Sequence, residues 1–224
     1  VTHDPESFVA VENYGMMEKP SAHKRAKVKA RTLRKAMDIR SARAAIGEIW
    51  QGCEIFGLTK GDFSLISIIE HLLDQTGPAD VVVSTWTAAA VDIEAAEKFL
   101  QDDRIKSIEF LVDQSFRSRQ PEYCARLVKA FGSRSIRFSR SHCKFVLITN
   151  DEWALVVRSS MNLNENRRIE NFEISDDRKF AEFLFELRDE IFGKPVDYTE
   201  EDFHTLCEGA TSEADPFEQI RGWK

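Results

Sequence analysis

The sequence has few cysteines, and none of them belongs to a metal-binding or redox motif. Its four cysteines, at positions 53, 124, 143 and 207 of 224 residues, lie far apart, with no C-x-x-C pair and no histidine at zinc-finger spacing. Buried free thiols in a reducing cytosol are the simplest interpretation. Cys143 is expected to pack inside, because it alternates with two polar neighbours on a predicted strand.

Long apolar runs and a leader sequence are also missing. No segment approaches the ~20 consecutive apolar residues that a membrane-spanning helix needs. The longest apolar stretches, such as the one around residues 145–148, have the length of a strand. The first residues, VTHDP, lack the basic and apolar regions of a signal peptide. We therefore expect a cytoplasmic protein that has no membrane partner.

The acidic net charge of −7 conceals an uneven distribution. The chain has 31 basic and 38 acidic residues, and residues 19–43 hold ten of the bases and one of the acids. This segment therefore carries +9, which leaves 21 bases and 37 acids, or −16, elsewhere. The average charge argues against a nucleic-acid partner, but the basic segment is suited to phosphate contacts.

The basic segment also has a helical pattern. It is free of glycine and proline over residues 22–46, and Ala26, Ala30, Leu33 and Met37 recur at helical spacing. This predicts a basic N-terminal helical arm over residues 1–47. Two interpretations stay open: the arm docks on the acidic body of its own chain, or it contacts phosphates. In the second case the contacts would come from Lys24, Arg25, Lys27, Arg31, Arg34 and Lys35.

From about residue 51 the chain alternates between strand-like and helix-like segments. Helical periodicity marks residues 62–75, 91–101, 122–131 and 178–191, with strand-like runs between them. Residues 142–149 and 152–159 predict a hairpin that turns at Asn150-Asp151. We expect one α/β domain over residues 48–195, with a mixed, mostly parallel β-sheet and helices on both faces. An acidic tail, with eight acids and two bases beyond Pro195, follows over residues 196–224.

Polar residues gather at one end of the predicted hairpin. His142 and Lys144 are two apart at the start of its first strand, so their side chains share a face. Its second strand ends in the run SSMN, which brings Ser160 and Asn162 back beside them. Glu173, on a neighbouring predicted strand, adds a carboxylate. The pattern therefore predicts that an imidazole, a cation, a hydroxyl, an amide and a carboxylate converge.

This ordered set resembles the HKD motif of the phospholipase D superfamily, through His142-x-Lys144, Ser159-Ser160-x-Asn162 and Asn171-x-Glu173. Within the superfamily it is most similar to small, single-motif proteins of phages and bacteria. The resemblance covers residues 52–191 and implies a phospholipase D-like α/β fold. Two positions depart from the motif: Thr149 stands where its aspartate is expected, and Ser159 replaces a glycine. In the family that aspartate mainly supports the motif and does not contact substrate.

The resemblance implies a phosphodiesterase that requires no metal and no cofactor. A neutral His142 would attack phosphorus and form a phosphohistidine. Lys144 and Asn162 would hold the non-bridging oxygens, supported by Ser160. Glu173 would orient the imidazole, as the third member of a triad does. A second histidine must protonate the leaving group, and no other histidine has a lysine two positions later. This implies a homodimer whose active site is shared across a two-fold axis.

Other residues near the motif permit two interpretations each. Arg167 and Arg168 either extend a positive rim for a polyanion or are ordinary loop charges. Trp86, at the end of a predicted parallel strand, either stacks on a base or packs in the core.

The first hypothesis for the function is a nuclease, with DNA favoured over RNA as substrate. The alternative is a nucleic-acid-binding or structural module without turnover, which Thr149 motivates. Lipid headgroup hydrolysis ranks third, because enzymes of that type usually carry both motifs in one chain.

Overall fold

Eight strands form one sheet in the computed structural model, which describes residues 31–164 and 167–196. The strands are β1 (Thr32–Ala36), β2 (Glu54–Thr59), β3 (Ala79–Thr85), β4 (Ile105–Asp113), β5 (Ile136–Ser139), β6 (Phe145–Thr149), β7 (Ala154–Ser159) and β8 (Glu170–Asp176). The helices are α1 (Ala42–Ile46), α2 (Leu65–Thr76), α3 (Ala90–Gln101), α4 (Phe116–Arg119), α5 (Pro121–Phe131) and α6 (Arg178–Phe192). The strand order is β1-β2-β8-β7-β6-β3-β4-β5.

The sheet is mixed, as predicted, but the expectation that it is mostly parallel is wrong. The pairs β1–β2, β3–β4 and β4–β5 are parallel, whereas the four pairs that join β2, β8, β7, β6 and β3 in that order are antiparallel. The β6–β7 hairpin and the returning strand β8 lie in the middle of the sheet, and hairpin neighbours run antiparallel. As a result, the starts of β6 and β8 lie at the same edge as the ends of β3 and β7.

Helices cover both faces of the sheet, which confirms the predicted α/β class. Residues of α1, α2, α3 and α5 share the larger core with one face. Helix α6 covers part of the other face, where Ala181 and Leu184 pack in the same cluster as Leu147 and Val156. Strand β3 is buried almost throughout because its side chains alternate between the two cores. Among the described helices, none combines the length and the apolarity that crossing a membrane requires.

The predicted helix over residues 22–46 is wrong where the structure describes it. Residues Thr32–Ala36 form strand β1, which pairs in parallel with β2, and only Ala42–Ile46 are helical. The strand obtains its backbone partners from β2, and Ala36 is buried in the core, so tertiary pairing overrides the helical spacing. Residues 22–30, with Lys24, Arg25 and Lys27, lie outside the described residues, as does the acidic tail from residue 197.

The hairpin and its turn are confirmed. Strands β6 and β7 pair antiparallel, with Thr149 opposite Ala154. The Asn150 side chain closes the turn, because its Oδ1 accepts hydrogen bonds from the amides of Glu152 (3.0 Å) and Trp153 (2.9 Å). An asparagine that bonds its own backbone in this way favours a tight turn.

The free cysteines match the expectation only in part. Cys53 and Cys124 are buried, but Cys143 is exposed. Burial raises the pKa of the Cys53 thiol, although hydrogen bonds with the backbone oppose that shift. Cys143 is exposed because it lies before β6 begins, so the strand alternation on which the packing prediction depended does not apply. Cys207 lies outside the described residues.

Replacing Gly57 by alanine is expected to destabilise the fold by about 1–3 kcal/mol. An added Cβ would lie 2.1 Å from Cζ of Phe172 on the neighbouring strand β8. Phe172 is fully buried and packs beside Phe63, with ring centroids 6.2 Å apart, so it has little room to move. Urea unfolding measures the loss. The double variant G57A/F172L should lose less than the two single variants together, and strict additivity would contradict the proposed clash.

Candidate active site

Four chain segments meet at one edge of the sheet, which we call the site edge. They are residues 140–144 before β6, 86–89 after β3, 160–164 after β7 and the start of β8 at Glu170. The mixed strand directions bring them together, because β6 and β8 begin where β3 and β7 end. Ligands of α/β sheets typically bind outside the carboxyl ends of parallel strands, and the end of β3 lies here.

His142 and Lys144 are neighbours at the site edge, although not on a strand. The segment that carries them precedes β6 and is fixed through its backbone: Ser84 donates to the Cys143 carbonyl (2.9 Å), and the Ser159 amide donates to the Lys144 carbonyl (3.3 Å). Lys144 Nζ lies 3.4 Å from His142 Nδ1. His142 is exposed and Lys144 is half-buried. An accessible imidazole therefore stands beside a partly desolvated ammonium group.

Burial shifts the pKa of Lys144. Desolvation lowers the pKa of the Lys144 ammonium, and the negative charge of Glu170 opposes this shift. Burial disfavours the charged form of a lysine, whereas a nearby carboxylate favours it. A poorly hydrated cation beside an open surface attracts an anion more strongly than a fully solvated one does.

Ser160 and Glu170 form the second part of the site. The Ser160 hydroxyl donates to the Glu170 carboxylate and accepts a hydrogen bond from the Asn171 amide (2.9 Å). The negative charge of Glu170 also acts on the Lys144 ammonium, whose pKa it raises against the effect of burial. Sequence reasoning missed Glu170, although it precedes Asn171 of the quoted motif directly.

The structure does not bring Glu173 to these residues. Glu173 forms a salt bridge with Arg158, and its Oε1 lies 3.0 Å from Nη2 of Arg31. Residues 170 and 173 are three apart on β8, so their side chains lie on opposite faces of the sheet. The expected orientation of His142 by Glu173 does not match this geometry, and Glu170 is the carboxylate at the site edge.

Asn162 joins the segment after β7 to the segment after β3. Its Oδ1 accepts a hydrogen bond from the Trp86 amide (3.3 Å), and the Ala89 amide donates to the Leu163 carbonyl (2.7 Å). The Trp86 ring centroid lies 5.7 Å from that of His142, with the planes tilted by 58°. Trp86 is half-buried and therefore belongs to the site rather than to the closed core.

A further residue of the site edge, Arg119, was not predicted from the sequence. Its guanidinium carbon lies 3.7 Å from the centroid of the Trp86 ring. Arg119 Nη2 also donates to the Trp86 carbonyl, and Nε donates to Ser115 Oγ, both at 3.0 Å. The contact joins residues 33 positions apart, and no spacing in the sequence indicates it.

The residues expected to contact nucleic acid have different surroundings in the structure: one is paired with carboxylates and the other described ones are exposed. Arg31, the residue before β1, lies 3.7 Å from Glu54 and 3.0 Å from Glu173, so at this position the basic segment pairs with carboxylates of its own chain. Arg34 and Lys35 are exposed on the outermost strand β1. Arg167 and Arg168 are exposed in the connection between β7 and β8, which begins and ends at the site edge.

Thr149, at the motif position where an aspartate is expected, lies far from the site. It is the last residue of β6, and Lys144 immediately precedes that strand. Five residues of strand span roughly 16 Å. The departure at position 149 therefore leaves the group around His142 and Lys144 unaltered. The described residues contain no cluster of three or more His, Cys, Asp or Glu that could hold a metal ion.

Comparisons with known proteins give likenesses in structure only. No protein-family model matches the chain, and no curated protein matches its sequence. Nuc from Salmonella typhimurium, a phospholipase D family member, is 16% identical with a TM-score of 0.45, over 65% of this chain and 97% of Nuc. Polyphosphate kinase from Porphyromonas gingivalis is 14% identical with a TM-score of 0.47, over 65% and 27% of the two chains. TrmBL2, an archaeal chromatin protein with a novel mode of DNA binding, is 11% identical with a TM-score of 0.39, over 58% and 50%.

Proposed function

We propose that this chain is a phosphodiesterase of the phospholipase D type that cleaves nucleic acid. The observation that carries the proposal is the meeting of His142, Lys144, Ser160 and Asn162 at one sheet edge. His142 contacts Lys144 and Trp86, Trp86 donates to Asn162, and Ser160 donates to Glu170. His142 and Lys144 lie in one segment of the chain and Ser160 and Asn162 in another, with 15 residues between the two segments. They supply the nucleophile, the cation and the hydrogen-bond donors that phosphodiester cleavage needs.

The reaction has two steps. In the first, a ring nitrogen of neutral His142 attacks phosphorus, the new P–N bond forms, and the bond to the leaving oxygen breaks. Lys144 and the Asn162 amide stabilise the charge on the non-bridging oxygens. The leaving oxygen takes its proton from a second histidine. In the second step that histidine removes a proton from water, which attacks phosphorus and releases His142.

The second histidine is proposed to be His142 of a partner subunit. The other described histidine, His71, is buried and hydrogen-bonded to the Gly47 carbonyl at 2.7 Å, which makes it unsuitable for contact with a large substrate. A two-fold axis beside the site edge would place two exposed His142 side chains on one phosphate. Sedimentation should therefore detect a dimer of the 25.7 kDa chain. A monomer alone at micromolar concentration would contradict the shared site.

A polyanionic substrate is supported by arginines along the site edge. Arg117, Arg119 and Arg140 lie in the segments after β4 and β5, and Arg167 and Arg168 lie in the connection from β7 to β8. Arg140 is exposed and precedes His142 by two residues. A nucleic-acid backbone bound at the site would have several arginines within reach from these segments, which would make binding depend strongly on salt.

The direct test is cleavage of DNA and RNA in the presence of EDTA. Fragments produced under these conditions, and an acid-labile phosphate adduct on the protein, are expected. Absence of cleavage with both nucleic acids would contradict the proposal. Phosphatidylcholine vesicles form a third arm, in which no headgroup release is expected.

The alternative function is a nucleic-acid-binding module without turnover. One observation favours it: among the described residues, no carboxylate is hydrogen-bonded to the His142 ring, whose side-chain hydrogen-bond partner is Lys144. This alternative predicts salt-dependent binding without cleavage, and it predicts that His142→Ala changes neither.

Glu170→Gln is expected to lower turnover about 10- to 100-fold, because Ser160 loses the carboxylate that positions it and Lys144 loses a nearby negative charge. Glu173→Gln is the matched control and should retain full turnover, since Glu173 binds Arg31 and Arg158 away from the site. Initial rates with one oligonucleotide measure both effects. Equal loss in the two variants, or a loss confined to Glu173→Gln, would contradict the assignment of Glu170.

A further inference from the structure

The Arg119–Trp86 stack is a rigid, charged and accessible plane. The guanidinium lies 3.7 Å from the indole centroid, and two hydrogen bonds hold it, to Ser115 Oγ and to the Trp86 carbonyl. Arg119 is exposed while Trp86 beneath it is half-buried. A guanidinium fixed by three contacts has already lost much of its side-chain freedom, so a ligand that stacks on it pays little further entropy.

The stack lies beside the proposed nucleophile. The Trp86 ring centroid is 5.7 Å from that of His142, and the Trp86 amide donates to Asn162, which is proposed to hold the phosphate. A nucleotide whose phosphate lies at His142 therefore has the stack within reach of its sugar and base. Arg119 would also contribute positive charge next to that phosphate.

The chemistry of the stack favours a flat, electron-rich ligand. Unpaired bases stack on aromatic rings and on arginine guanidinium planes, and this mode tolerates every base. A base within a duplex has both of its faces covered by neighbouring bases. It can reach the stack only after it is unstacked and unpaired, which costs a few kcal/mol.

We infer that Arg119 and Trp86 form a nucleobase platform that makes the site selective for single-stranded nucleic acid. This inference rests on the proposed function, and it names the substrate class of the same site. The platform binds the base next to the scissile phosphate, whereas the other arginines of the site edge contact the backbone of either form.

The test measures binding by the full-length chain that carries His142→Ala, so that the oligonucleotide stays intact. A fluorescent single-stranded 12-mer and the same sequence in a duplex are titrated at fixed salt. We expect the single strand to bind at least ~10-fold more tightly, in line with the contribution of one stacked base. Adding Trp86→Ala or Arg119→Ala should remove most of this preference. Trp86→Phe keeps a ring and should retain it, whereas Arg119→Lys keeps the charge but loses the plane.

Arg140→Ala is the matched control, because Arg140 is an exposed arginine at the same edge for which no ring contact is expected. It should weaken the single strand and the duplex by the same factor. Equal affinity for both forms before any platform substitution would overturn the inference. The inference would also be overturned if Arg119→Ala weakened binding of the single strand and the duplex by the same factor. Full preference for the single strand in Arg119→Lys would overturn it as well.

The outcomes separate this inference from the proposed function. Cleavage in EDTA without preference for single strands would overturn the platform and leave the phosphodiesterase standing. A preference that Arg119→Ala abolishes, together with absence of cleavage in EDTA by the chain that retains His142, would overturn the phosphodiesterase and leave the platform standing. Failure to bind either nucleic acid would overturn both. Circular dichroism of each variant shows whether a loss reflects misfolding, and Trp86→Phe and Arg119→Lys keep the test decisive if an alanine variant unfolds.

Discussion

His142→Ala is expected to abolish nucleic-acid cleavage, with a loss on the order of 10⁴-fold or more. Alanine has no lone pair to attack phosphorus, so the covalent intermediate cannot form. The exposed position of His142 means that its removal should cost little stability. Initial rates in EDTA measure the loss, and acid-labile labelling of the protein should disappear together with turnover.

Cys143→Ser is the matched control for this variant. Cys143 is the exposed neighbour of His142, and the backbone carbonyl that accepts from Ser84 is unchanged by the substitution. It should cleave at the parent rate. Residual cleavage by His142→Ala within tenfold of the parent would show that His142 is not the nucleophile and would contradict the proposed mechanism.

Lys144→Ala is expected to lower turnover about 10²- to 10³-fold, the usual cost of removing one group that stabilises transition-state charge. The loss should appear mainly in kcat, because the arginines of the site edge still bind the backbone. Lys144→Arg keeps a positive charge but is larger and places it differently. It should recover part of the activity.

The pH profile provides a second test of Lys144. Burial lowers the pKa of the Lys144 ammonium, so this group loses its proton at a lower pH than an exposed lysine does. Activity needs the charged form and should therefore decline on the alkaline side before the ordinary lysine pKa of ~10.4 is reached. In Lys144→Arg the decline should move to higher pH, because a guanidinium does not titrate in this range. An alkaline decline that is the same in both proteins would contradict the role of Lys144.

Local sequence signals account for much of the domain. The β6–β7 hairpin follows from two strand-like runs and an asparagine that caps the turn between them, and all of these lie within 15 residues. Helix α6 follows from its apolar periodicity and begins at Arg178 as predicted. The hairpin and the helix are determined by residues that are close in the chain, so the sequence pattern predicts them without knowledge of the fold.

The basic segment shows where local signals fail. Its alanines and lysines suit a helix, yet Thr32–Ala36 complete the sheet beside β2. The energy that decides between the two forms comes from a partner strand more than 20 residues away and from burial of Ala36. Neither the pairing with β2 nor the burial of Ala36 can be recognised from the spacing of apolar residues within the segment.

The sequence alone was enough to identify the candidate residues His142, Lys144, Ser160 and Asn162 through a motif, and to explain through the hairpin why they can meet. Tertiary structure decided the rest of the site. Strand alternation places Glu170 with Ser160 and turns Glu173 towards Arg158, because side chains three apart on a strand lie on opposite faces. Pairing of β3 with β4 and β6 brings Arg119 over Trp86 and Trp86 beside His142. Contacts between residues so distant in the chain arise only when the sheet is assembled.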